Sequence, residues 1–160
     1  MRISYNTLPM ALEYDLFLAL RYKNERLLEP LLELPGFRGS GGQGQGPGLF
    51  FGVYNVSPDR RELLLDDYGI DSRIDVGFRV DLSAYDDERG YLGNRTVITA
   101  ALAVLKAVPC NAILLYNGES PLMLRREGKL WLNRASGWWT SKERLDLVDL
   151  PYAMKDLPSL

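Results

Sequence analysis

"IDVGFRVDL", residues 74–82, alternates Ile74, Val76, Phe78, Val80 and Leu82 with Asp75, Gly77, Arg79 and Asp81. A period of two places the first set on one face of a strand and the second on the other, toward solvent. Beyond it the period changes. From about Asp86 to Val108, residues Ile98, Ala101, Leu102, Leu105 and Val108 share one face at helical spacing, and Pro109 ends the run. Ser83 followed by Asp86 resembles a capping signal for that helix. A half-buried strand followed by a long amphipathic helix calls for a sheet with a helical layer on it.

Toward the N-terminus, "MALEYDLFLAL" (10–20) places Leu12, Tyr14, Leu16, Leu18 and Leu20 on one strand face, with Glu13 and Asp15 on the other. "NERLLEPLLEL" (24–34) has helical spacing interrupted by Pro30, which predicts a short or kinked helix. "LFFGVYNV" (49–56) is aromatic and β-branched and reads as a strand. "SPDRRELLLDDYGIDSR" (57–73) reads as a polar connection with a short strand or turn near Leu63 to Leu65. Toward the C-terminus, "NAILLYNGE" (111–119) is a buried strand entering a turn at Asn117-Gly118, and "PLMLRREGKLWLN" (121–133) is a hairpin turning at Glu127-Gly128-Lys129. A helical turn begins at Thr140 or Ser141. The expectation is a single α+β domain over residues 10–160, with one long and one short helix packed against an antiparallel or mixed sheet. Residues 1–9 read as an N-terminal extension, and Met10 is an alternative start.

Composition narrows the chemistry. The 160 residues, 46% of them hydrophobic, suit one core. With 19 basic and 21 acidic side chains, the chain lacks the positive excess of a nucleic-acid binder. No stretch reads as a signal peptide or a membrane span, and a lone cysteine, Cys110, forms no internal disulfide; a cytoplasmic protein is expected. The chain has no histidine. That removes the commonest general base and most zinc ligand sets, and it leaves Cys110 and the serines without an activating partner. No catalytic residue, metal site or cofactor is expected.

"GFRGSGGQGQGPG" (36–48) contains the G-x-G-x-x-G spacing at Gly39 to Gly44. A dinucleotide turn needs a strand before it and a helix after it, and here the order is reversed. The tract therefore reads as a flexible glycine-rich loop. Asp66, Asp67, Asp71, Asp75 and Asp81 match no calcium-loop spacing and read as solvated. An acidic surface can also attract a basic partner, and Asp86, Asp87 and Glu88 would add to it. Trp138 and Trp139, adjacent on an irregular segment, cannot both point the same way; one can anchor the core while the other meets a partner.

Three segments carry a resemblance: "MALEYDLFLAL" (10–20), "AILLYNGESPLMLRREGKLWLN" (112–133) and "LDLVDLPYAMKDLPSL" (145–160). They resemble the Sit immunity proteins, third subtype, of myxobacterial swarming-inhibition toxin systems. The matching patterns are those of packing and turns. The resemblance implies a cytoplasmic antidote that binds and neutralises a cognate toxin arriving from a kin-incompatible neighbour, and it brings no catalytic residues. Under that reading Asp66, Asp67, Asp71, Asp86, Asp87, Glu88, Trp138 and Trp139 are the expected toxin contacts. The competing expectation is a small-ligand-binding or enzymatic α+β domain using the sheet face or the glycine tract.

Overall fold

The computed structural model describes residues 12–21, 25–87 and 89–160. The extension at 1–9, the alternative start at Met10 and the candidate contact Glu88 lie outside them. β1 (Glu13–Leu18) is central, antiparallel to β5 (Ile74–Val80) on one side and to β8 (Ala112–Tyr116) on the other. Beyond β5 the sheet continues through β4 (Leu49–Asn55) and β3 (Gln43–Gly46) to the edge strand β2 (Arg38–Ser40). Beyond β8 it continues through β9 (Ser120–Arg126) and β10 (Lys129–Asn133) to β11 (Ala153–Lys155). The nine strands make one sheet in which β10 and β11 alone run parallel. The fold is α+β with a mixed sheet.

Alternation gives the sheet two unlike faces. On the first, Tyr14, Leu16, Phe51, Val76, Phe78 and Leu114 meet Val97, Ile98, Ala101 and Leu105 of α3 (Leu92–Ala107), the 16-residue helix read from the periodicity. Leu27, Leu28 and Leu31 join this cluster from a 3-10 turn (Glu25–Leu28) and the short α1 (Glu29–Leu32), where Pro30 is tolerated because it sits in the first turn. Burying each such leucine or isoleucine contributes about 1.5–3 kcal/mol before chain entropy is counted. On the second face, Phe17, Ile113, Leu115 and Leu124 meet Leu64 and Tyr68 of α2 (Pro58–Tyr68), with Ile70 and Leu157. These residues belong to β1, β8 and β9, so among the described residues no helix covers the second face of β5, β4, β3 and β2.

Three readings are corrected. Residues 58–68, expected as a connection, are a helix: the Ser57 hydroxyl accepts from the Arg60 N–H at 3.3 Å, and Gly69, at φ 70°, closes the other end. Helical periodicity was faint there because Leu64 and Tyr68 are buried while Leu63 and Leu65 stay exposed. The long helix starts at Leu92, not near Asp86. The Asp81 carboxylate accepts from the Ser83 N–H at 2.9 Å and its hydroxyl at 2.6 Å, making a local turn in place of a cap. A small hairpin, β6 (Tyr85–Asp86) with β7 (Gly90–Tyr91), then precedes the helix.

The third correction concerns the glycine tract at 36–48, which is a hairpin and not a loop. β2 and β3 pair antiparallel around Gly41 and Gly42, whose φ values of 63° and 81° suit a two-residue turn. No helix follows, so the G-x-G-x-x-G spacing has no dinucleotide context.

Candidate functional site

The bare half of the second face is an open cavity of about 1100 Å³. Alternation supplies its walls: Glu13 and Asp15 from β1, Arg79 from β5, Phe50 and Tyr54 from β4, and the β2–β3 hairpin with Arg38 and Gln45. The floor is glycine. Gly52 and Gly77 are cross-strand partners, and the Tyr54 ring lies over both. A Cβ at Gly77 would sit 3.0 Å from Tyr54 Cε2 and 3.4 Å from Asp15 Oδ1, and one at Gly52 would sit 2.6 Å from the Tyr54 hydroxyl. Both positions must lack a side chain for the ring to lie flat.

Register brings two acids together at the margin of this floor, where Asp15 lines the cavity and Asp75 lies beside it without lining it. Asp15 is opposite Gly77 and Phe17 is opposite Asp75, so Asp15 and Asp75 are diagonal neighbours on one face. Burial pushes the Asp75 carboxyl up to about 9, and the Asp15 charge beside it pushes the same way. Asp15 is raised as well, again chiefly by burial, while its hydrogen bond with Asp75 opposes the rise. Asp75 therefore holds a proton at neutral pH, in a hydrogen bond with Asp15. One Asp75 oxygen, Oδ1, is buried without a hydrogen-bond partner among the described residues. Asp75 is thus no solvated strand residue, as its alternation had implied.

The surrounding cations have other commitments. Arg79 Nη2 donates to Glu13 Oε1 at 2.9 Å, and Arg60 Nη1 of α2 donates to the Gly118 carbonyl at 2.8 Å. Arg38 Nε reaches Gln45 at 2.6 Å once the Gln45 amide is turned so that its oxygen accepts. Phe50 and Tyr54 are 46% and 54% exposed. Ser40 also lines the cavity, but a chain without histidine offers no imidazole to activate it. Among the described residues no group of His, Cys, Asp and Glu is arranged to hold a metal ion. The cavity thus sets two exposed aromatic rings beside charged side chains of both signs.

The residues expected from sequence lie elsewhere. Asp66 and Asp67 are exposed on α2, and Asp71, just beyond it, pairs with Arg61 at 2.6 Å, which holds its carboxyl below the usual range. Asp86 and Asp87 are exposed at the β6–β7 hairpin that leads into α3. Because α2 and α3 lie on opposite faces, the two acidic stretches belong to elements on opposite sides of the sheet. Trp139 is 3% exposed and donates Nε1–H to the Leu122 carbonyl at 2.7 Å, which makes it a core residue. Trp138 is half-buried on the first face, edge-on to Tyr14, with the Arg144 guanidinium 4.3 Å from its ring centroid. The two tryptophans touch each other, and neither lines the cavity.

A family model described as SitI3-like matches residues 12–143. The chain belongs to the SitI3-like family. No curated protein and no solved structure gives a significant match. The part of this SitI3-like chain matched by the family model runs from the start of β1 into α4 (Lys142–Leu145) and contains every wall of the open cavity. No helix among the described residues is long and apolar enough to cross a membrane. The sequence reading missed Asp15, Asp75, Tyr54 and Phe50 as a group. The signal that could have found them is the pair of lone glycines, Gly52 and Gly77, inside otherwise strong strands.

Proposed function

We propose that this SitI3-like protein is an immunity protein: it binds a cognate toxin delivered between kin bacteria and neutralises it by occupation, without catalysis, in the cytoplasm. Family membership supports the role. The observation that carries the mode of action is the bare half-face, where Phe50 and Tyr54 stand 46% and 54% exposed beside Arg38 and Arg79. Aromatic and arginine side chains are the types that dominate binding energy at protein interfaces. The exposed Asp66 and Asp67, with Asp86 and Asp87, would act at a distance by steering a basic toxin toward its seat. The competing small-ligand reading draws on the same cavity, but ligand sites enclose most of their guest, and this cavity is broad and open.

The test is calorimetric titration of the full chain with the toxin domain encoded beside its gene. A one-to-one complex with Kd on the order of 1 nM, about −12 kcal/mol, is expected. No heat and no co-elution at micromolar concentrations would overturn the reading.

A further inference from the structure

What a toxin brings to the open face, a question that rests on the immunity reading, is set by the charges already there. On that face Glu13 is ion-paired with Arg79, and the Arg38 guanidinium is hydrogen-bonded to the neutral Gln45 amide. The Asp15–Asp75 pair has no ion-pair partner among the described residues. The groups that act on it are Glu13 from its own strand β1, the pair's own two carboxyls across β1 and β5, and Arg60 from α2, with the Tyr54 ring of β4 packed over Gly77 beside Asp15. Among the described residues Arg60 is the one cation acting on both acids, and its Nη1 is already bonded to the Gly118 carbonyl. Asp15 opens onto the cavity, and Gly77 beside it has no side chain to block the approach.

We propose that the toxin seats a lysine or arginine side chain in this cavity, its cationic head on the Asp15–Asp75 pair and its alkyl stem along the exposed rings of Tyr54 and Phe50. The pairing of acid and aromatic chemistry selects this occupant. A long basic side chain needs a carboxylate at its tip and apolar surface along its stem, and an aromatic face adds cation–π attraction. An anionic guest would meet the pair's negative charge, and a purely apolar one would strand it.

Seating a cation beside the pair favours its fully ionised form, so the Asp75 proton leaves to solvent as the complex forms. Binding should therefore release a proton and tighten as pH rises from 6 to 8.

The experiment titrates the neighbouring toxin domain into wild type, Asp15→Asn and Asp15→Asn/Asp75→Asn in two buffers of different ionisation enthalpy. Thermal melts run alongside confirm that each variant folds. Wild type should bind with net release of close to one proton, while the double variant binds at least about tenfold more weakly and without proton release. If wild type binds and the variants bind within twofold of it, or wild type releases no proton, the seat is elsewhere and this inference falls while the immunity reading stands. If folded wild type fails to bind, both fall together.

Discussion

Asp75 keeps its proton near neutrality because ionising it would bury a second negative charge beside Asp15. The consequence for stability has a definite sign. Its folded pKa lies above the unfolded value of 3.8, so the group's stabilising contribution is complete below that value and is lost as pH rises toward about 9. Asn mimics the protonated acid and cannot ionise. Asp75→Asn should therefore melt with wild type near pH 4 and above it at pH 8, by about 1–3 kcal/mol, or about 2–4 °C for each kcal/mol. Equal melting temperatures at both values would refute the proton on Asp75. Alternation placed Asp75 on the correct face, away from α3. It could not say what lay beside it, because that depends on the register of β1 against β5, which pairs residues about 60 apart in the chain. Trp139 shows the same limit: its burial follows from the Leu122 carbonyl that it reaches, not from its neighbours in sequence.

Elements differ in how openly they are written. The strands at 74–80 and 112–116 and the hairpin at 120–133 were legible because apolar alternation and turn residues agreed with one another. The β2–β3 hairpin was not, because glycine is also the residue of flexible linkers, and its function here is to leave space. A Cβ at Gly44 would stand 2.6 Å from Phe51 Cζ and would collide with the Arg38 carbonyl across the strand pair, and Gly46 similarly makes room for the Phe37 ring. The flexible neighbour could turn aside, but the backbone carbonyl cannot do so without breaking the pairing. Gly44→Val should accordingly cost about 1–3 kcal/mol and strip hydrogen-exchange protection from the amides of β3, while β8 and β9 keep theirs. Unchanged protection in β3 would show that the hairpin is not held by this close approach. The same variant should weaken toxin binding, since Arg38 and Gln45 form one wall of the cavity.

At the scale of the whole molecule, packing closes one half of the second face and leaves the other half open. The covered half is closed by the C-terminal segment, which lies beyond the span matched by the family model. Buried Asn133 ties it down: Nδ2 donates to the Pro121 carbonyl at 2.7 Å, while Oδ1 accepts from the N–H groups of Ala135 at 3.1 Å and Leu157 at 2.8 Å. The Tyr68 hydroxyl of α2 donates to the Pro158 carbonyl, and Leu157 is buried against Leu64 and Ile113 in the second core. Deleting residues 151–160 removes β11, uncovers that core and leaves Asn133 Oδ1 short of a donor. The expected loss is at least about 2–5 kcal/mol, combining one buried leucine with the hydrogen bonds at Asn133, Pro158 and Glu119 and the β10–β11 pairing, read as a lowered urea midpoint. None of the cavity's walls belongs to the deleted segment, so the truncated chain, below its melting temperature, should bind the toxin domain with nearly wild-type affinity. Loss of binding by a chain that still melts cooperatively would move the interface toward the β11 edge, where Tyr152 and Met154 are exposed. Retained binding would instead rule out the β11 edge as the seat, as a toxin that reads the half of the sheet left bare by α2 requires.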